Sequence, residues 1–397
     1  MLPVTNALGG YLMMRHRSRW SSVSAMFSAW ALAVLFVVVP SVQAQTETHS
    51  TLSYLEQLRH ETGAPGVTAA VSADGVLVFS DGVGYAELDN QTPVTGATVL
   101  NVGSVSKVMA VIAIMQLVEQ GKVTLGDDIR TYVTAFPDKG TPITLRHIMT
   151  HTSGIRHYRD GEFGPNGLRS MRHFDDFEEA IQHFTEDPLL FAPGEYWLYS
   201  SHAFNLLQGV VEQASGVKFE NYMRTYVWEP AGMLRSSFDV PSRVVRQRGR
   251  GYVRASDGAI VNSRYEDVSY KYAGGGMLST VEDLVRMGNA INNGTLLGPE
   301  VVSEMHRSHV DPVLQFQVDE QARELSFKQA LGWDLSTDKQ GRTYISKTGT
   351  VRGTRSVVIN YPDDGLVVAL QANIAPFPIQ RHGEAIAQIY LPPVRAW

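Results

Sequence analysis

One stretch constrains this chain more than any other. Val108-Met-Ala-Val-Ile-Ala-Ile-Met-Gln-Leu-Val118 is apolar on every side apart from Gln116. A helix with no polar face is stable only where protein surrounds it, so this segment has to be a centre on which other layers pack. The turn Asn101-Val-Gly-Ser-Val-Ser-Lys107 leads into it, and Gly121 stands where a left-handed residue closes a helix. Ser104 therefore falls at the N-terminal end of a buried helix, with Lys107 three residues on and on the same face. Burial and the positive helix terminus both favour a neutral lysine amine, the form that can take a proton from a serine. The N-terminal amides add donors for a developing oxyanion. A Ser-x-x-Lys match recurs about once by chance in a chain this long. An N-capping serine beside a solvated lysine has the same spacing, so the rest of the chain must decide.

The N-terminus reads as a targeting segment. Arg15, Arg17 and Arg19 precede the apolar run Ala25 to Val39, and Pro40-Ser-Val-Gln-Ala44 ends in a small-x-small pattern. Residues 1–44 are expected to be a secretory signal, which implies an exported, periplasmic or secreted protein. The apolar run is short for a membrane span, so a membrane anchor is expected only if the segment stays uncleaved. Residues 1–44 hold three arginines and no acid; without them 31 basic residues face 40 acidic ones, net −9. That charge disfavours nucleic acid as a partner. With no cysteine, the fold has to be held by its core, and thiol catalysis and Cys-ligated zinc are excluded. The sequence implies no cofactor, and no feature fixes an oligomeric state.

Thr51 to Thr62 spaces its leucines as a helix does and stops at Gly63. Gly66 to Ser72 and Val76 to Ser80 flank Asp74-Gly75, a strong hairpin signal. From about 126 to 268 helical patterns dominate: Leu145 to Gly154, Asp175 to Thr185, Ser201 to Ser215 closed by Gly216, and Lys218 to Trp228 stopped by Pro230. Thr280 and Asp283 mark a further helix start. Strands return at Thr343 to Lys347, Arg355 to Asn360 and Leu366 to Gln371, followed by a helix around Gly383 to Tyr390. The expected architecture is an α/β (α+β) fold, one antiparallel sheet flanked by helices and built from both ends of the chain. Residues 45–125 and 269–397 form the sheet domain and residues 126–268 an inserted, mostly helical lobe. The cleft is expected where the two meet.

Two more motifs complete a constellation. Tyr199 comes just before the Ser201 helix, and Lys347-Thr348-Gly349-Thr350 ends a strand. The phenol of Tyr199 can relay a proton once a nearby cation lowers its pKa, and Lys347 can supply that charge and attract a substrate carboxylate. Gly349 lets a substrate approach the strand edge, and the Thr350 amide can join that of Ser104 as an oxyanion donor. A core tyrosine and an edge-strand lysine are the bland readings of the same residues.

Ser104-x-x-Lys107, Tyr199-Ser-Ser201 and Lys347-Thr348-Gly349 resemble the three motifs of the serine β-lactamase and penicillin-binding-protein superfamily, in their usual order. Thr150-His-Thr-Ser-Gly154 and Ala273-Gly-Gly-Gly-Met-Leu-Ser-Thr280 are similar to class C β-lactamase-related hydrolases. Ser153 to Tyr158, Asp187 to Gly194 and Tyr270 to Gly276 resemble the mitochondrial β-lactamase-like serine proteases and their bacterial relatives. The resemblance implies a transpeptidase-like fold and an acyl-enzyme. It makes Ser104 the nucleophile, Lys107 and Tyr199 the base system, and Lys347 with Thr348, Gly349 and Ser201 the substrate-binding set.

Ser201 stands where relatives of this type usually carry asparagine, whose amide grips an acylamido side chain. A serine is shorter and has one donor. The expectation is therefore a serine hydrolase acting on small peptide-like amides or esters, with a true β-lactamase or D-alanyl carboxypeptidase, or a non-catalytic binding or scaffold protein, as the alternatives. His147 and His151 are four apart, but Ile148 occupies the glutamate place of a zinc-protease motif, so they read as a capping or packing pair and no metal is expected. Arg156, His157 and Tyr158 are expected near the cleft, and Gly274 to Gly276 suit either substrate approach or close backbone packing.

Overall fold

The computed structural model describes residues 42–162, 171–318 and 321–392. The expected targeting segment, 1–44, lies outside them except for its last three positions. Helix α1 (Val42–Thr62) begins well before the expected Thr51. Strands β1 (Gly66–Ala73) and β2 (Val76–Glu87) form the expected hairpin. Asp74 and Gly75 between them have φ of 48° and 79°, the pair of positive values that a tight two-residue turn needs.

The other strands of this sheet are β3 (Thr92–Pro93), β4 (Lys328–Gln329), β5 (Asp334–Thr337), β6 (Thr343–Val351), β7 (Thr354–Tyr361) and β8 (Leu366–Ala372). Their spatial order is β4-β5-β6-β7-β8-β1-β2-β3, antiparallel throughout. The two ends of the chain meet in it, since Thr68 of β1 faces Gln371 of β8. All of β8 is buried, because both faces of the sheet are covered. Val368 and Leu370 point into one core with Leu55 and Leu58 of α1 and Ile386 of the last helix, α7 (Ile379–Tyr390), whereas Val367 and Ala369 point into the other. That alternation is the period of a strand read on two covered faces.

The second core holds helix α2 (Ser106–Glu119), buried from Ser106 through Leu117 as its composition requires. Helix α6 (Val281–Asn292) packs on the sheet beside it. A Cβ on its Gly288 would lie 2.6 Å from Val367, so glycine lets that helix approach the sheet closely. Between sheet halves come α3 (Leu145–Met149), α4 (Phe177–Thr185) and α5 (Ser201–Ser215). Side chains of Thr144, Asp176, Ser200 and Thr280 accept the N-terminal amides of α3, α4, α5 and α6, and Gly216 closes α5 at φ 72°.

Three expectations change in detail. Helix α3 stops at Met149 and not at Gly154, because His151 turns left-handed at φ 59°. Lys218 to Trp228 is helical only from Phe219 to Tyr222 and then widens to a π turn over Met223–Trp228. The Lys347 motif does not end its strand: β6 runs through it to Val351, where Arg352 and Gly353 turn the chain into β7. No helix among the described residues is long and apolar enough to cross a membrane.

Candidate active site

Ser104 does not lie in α2 itself but in the 3-10 turn Gly103–Val105 just before it. Gly103 has φ 52°, and a Cβ there would meet the Thr350 nitrogen at 2.5 Å. Conversely, a Cβ on Gly349 would lie 2.8 Å from the Ser104 nitrogen. Two glycines thus let the Ser104 turn lie edge to edge with β6, which brings the Ser104 and Thr350 amides to one seam. The hydroxyls of Ser356 and Thr354 on β7 fasten this turn by donating to the carbonyls of Val102 at 2.7 Å and Asn101 at 2.9 Å.

Lys107, the second residue of α2, is inaccessible to solvent. Its Nζ donates to Ser104 Oγ at 3.2 Å, Ser201 Oγ at 2.9 Å and the Gly274 carbonyl at 2.5 Å, which uses all three ammonium hydrogens. Burial lowers its pKa to about 8, and the nearby Lys347 and Lys271 push the same way against the opposing pull of Tyr199. On the other side the Tyr199 hydroxyl donates to Ser104 Oγ at 2.5 Å. Burial pushes that phenol up, but Lys107 and Lys347 outweigh it and the net shift is downward. Its ring lies 4.8 Å from Lys107 Nζ and 5.5 Å from Lys347 Nζ. The structure therefore brings Ser104, Lys107, Tyr199 and Lys347 together.

The supporting histidines are neutral. His147 joins its cap, its Nδ1 accepting from the Thr144 amide at 3.3 Å. His151 is buried against Tyr199 with ring centroids 4.4 Å apart, and it accepts the Ser200 amide at 3.2 Å. Capping and packing are thus what this pair does. His157 accepts the Ser201 amide at 3.2 Å, and burial, then Lys107, push its pKa down to about 3. These contacts hold the chain at the start of α5, where Tyr199 and Ser201 must point inward.

Ser201 lines the cleft, and its Oγ accepts from Lys107 Nζ at 2.9 Å. Lys347 is likewise engaged: its Nζ donates to Asp334 Oδ1 at 3.2 Å, with the lysine side chain only 3% exposed. Asp334 sits on β5 opposite Ser346, next to Lys347 in β6. No motif marks it; only the strand register reveals it.

The cleft over Ser104 has a volume of about 620 Å³. Thr348, Gly349 and Thr350 form one edge, and Tyr158, Trp197, Tyr270 and Phe327 give it aromatic walls. Lys271 and Glu266 add a buried ion pair at 2.7 Å, with Tyr270 donating to the same carboxylate oxygen. His157 and Tyr158 thus line the cleft as expected. Arg156 lies behind it, bonded to Glu162 and Asp187. Gly274 and Gly275 both line the cleft, with Gly274 also packed against Asn205, whereas Gly276 answers to packing, since a Cβ there would meet the Val268 carbonyl at 2.8 Å.

Glu162, His183 and His202 are the one group of potential metal ligands among the described residues. The Arg156 guanidinium already fills that centre, 2.8 Å from Glu162 and 3.1 Å from His202 Nε2. A second cation there would meet a buried positive charge.

A family model described as Beta-lactamase matches residues 53–391. The serine beta-lactamase-like protein LACTB, mitochondrial, of Bos taurus is 29% identical over 411 aligned residues, covering 82% of this chain and 74% of that one. Esterase EstB of Burkholderia gladioli is 26% identical, covering 64% and 72%. Among solved structures, the octameric penicillin-binding protein homologue from Pyrococcus abyssi superposes with a TM-score of 0.73 at 24% identity, covering 86% and 77%. The antiparallel sheet and its flanking helices agree with these likenesses, and the chain belongs to the beta-lactamase family of serine hydrolases.

Proposed function

We propose that the protein is an exported serine hydrolase that cleaves peptide-like amides or esters through an acyl-enzyme on Ser104. The observation that carries this reading is the convergence of Tyr199 Oη at 2.5 Å and Lys107 Nζ at 3.2 Å on Ser104 Oγ. Ser104 Oγ attacks the substrate carbonyl carbon while its proton passes into the Tyr199–Lys107 pair, which titrates as a unit. The carbonyl oxygen gains negative charge between the Ser104 and Thr350 amides. Collapse of the intermediate breaks the bond to the leaving group, which takes the proton back from the pair. Water, deprotonated by the same pair, then releases the acid and restores the serine hydroxyl.

Amides and esters are favoured over penicillins by two features. Ser201 is held by Lys107, and Lys347 faces the cleft already paired with Asp334, so a leaving-group carboxylate has to compete for it. A true β-lactamase or D-alanyl carboxypeptidase needs that cation. Export rests on the arginine-led apolar segment before Ala44. The test is a p-nitrophenyl ester mixed rapidly with enzyme, with nitrocefin in parallel. A p-nitrophenol burst equal to the enzyme concentration, with little nitrocefin turnover, supports the reading. Fast nitrocefin hydrolysis would move it to a β-lactamase.

A further inference from the structure

Beyond Thr350 the cleft opens into a second cavity of about 520 Å³. Ser263, Arg264 and Arg352 line both spaces, so the two are continuous. The second is lined by four arginines, Arg248, Arg250, Arg264 and Arg352, and one acid, Glu87. Arg250 is neutralised by Glu87 at 3.0 Å and Asp89 at 2.8 Å. Arg248 and Arg352 share a single carboxylate, Asp239, at 2.8 Å and 2.5 Å. Asn101 donates to that same aspartate at 2.7 Å. Glu87, Asp89 and Asp239 thus match Arg248, Arg250 and Arg352 in charge, and what sets this wall apart is how the donors of Arg352 are used.

Arg352 stands at the junction of the two spaces. Its side chain is 9% exposed, and its guanidinium lies 4.6 Å from the Tyr265 ring centre, which fixes its plane. Nη1 goes to Asp239, while Nε and Nη2 have no hydrogen-bond partner among the described residues. Glu266 is near enough to feel this charge, but its Oε1 is taken by Lys271 and Tyr270. Buried guanidinium donors left unpaired are costly, and such groups usually have a partner. Nε and Nη2 share one edge of the planar fork, the edge that donates to both oxygens of a carboxylate.

Polarity along the cleft follows from the proton carrier. The leaving group must sit beside Tyr199, whose ring is 5.5 Å from Lys347 Nζ. Lys347 and Arg352 lie on opposite sides of Thr350 along the chain of β6 and its turn. The leaving group thus occupies the Lys347 end and the acyl portion runs towards Arg352. Resting on the acyl-enzyme reading of Ser104, we propose that the second cavity is a carboxylate subsite, and that the preferred substrates carry an anionic carboxylate at the far end of the acyl portion, held by Arg352.

The test is a series of p-nitrophenyl esters of dicarboxylic acids of increasing length, each paired with the ester whose distal carboxylate is capped as an amide. At the length that spans the two spaces, the free acid should have a kcat/KM about tenfold or more above its capped partner, the scale of a hydrogen bond to a charged group. The advantage should lie mainly in KM, shrink in Arg352→Lys, which keeps the charge but not the fork, and vanish in Arg352→Gln. Arg264→Gln, at an exposed position, should lower the same ratio by a smaller factor, and it serves if Arg352→Gln does not fold. A ratio near one at every length, in enzyme that turns over the capped esters through Ser104, overturns the subsite and leaves the hydrolase intact. If no ester acylates Ser104, the hydrolase reading falls. The subsite is then read by thermal shift with the free dicarboxylate acids: a rise in melting temperature lost in Arg352→Gln supports it, and no rise overturns it.

Discussion

Lys347 Nζ and Asp334 Oδ1 lie 3.2 Å apart at the leaving-group end of the cleft, so the cation of the third motif is compensated before any substrate arrives. Asp334→Asn should free it. Penicillin acylation of Ser104, followed by mass spectrometry over time, should then accelerate about tenfold, since a partly buried charge pair is worth about 1–2 kcal/mol to whichever anion holds it. An unchanged rate would mean that Lys347 takes no part in binding the leaving group.

Lys107 gives the reaction its pH dependence. With a pKa lowered to about 8 it is mostly charged at neutral pH and gains its free amine as pH rises through 8. For a neutral ester, kcat/KM should climb from pH 6 and level off above about 8. The sign for stability is the same: burying this lysine costs the fold most below about 8 and progressively less as pH rises towards 10.5. A profile that falls through that range would contradict a neutral lysine as part of the base.

Tyr199→Phe keeps the ring against His151 and removes only the hydroxyl 2.5 Å from Ser104 Oγ. The expected result is a kcat about 10² to 10⁴ lower, the range of a lost general acid–base group, with an unchanged melting temperature. A loss below threefold would leave Lys107 as the sole proton carrier.

Asp239 is buried and serves Arg248, Arg352 and Asn101 together. Asp239→Ala strands the buried Arg352 guanidinium without its counter-charge. It should destabilise the protein by about 3 kcal/mol, read as a lowered urea midpoint. A shift within error would show that the Arg352 charge is compensated elsewhere.

What the sequence exposed and what it hid divide along a physical line. Ser201 to Ser215 was legible to the residue because its cap, its amphipathic spacing and Gly216 are all local signals. The buried helix was equally plain, since an all-apolar surface has one destination. Local signals failed where tertiary contacts decide: β6 continues past the Lys347 motif because β7 folds back on it, and α3 ends early at a left-handed histidine. The four groups at Ser104 were legible through ordered motifs. Asp334 and Arg352 were not, because each earns its place only from a neighbouring strand or a turn.

The most direct test is intact and peptide mass spectrometry after a fluorophosphonate or p-nitrophenyl ester reacts with folded protein. The expected result is one adduct per chain on the peptide carrying Ser104, lost in Ser104→Ala together with hydrolysis. An adduct on another residue, or a Ser104→Ala protein with full turnover, would contradict it.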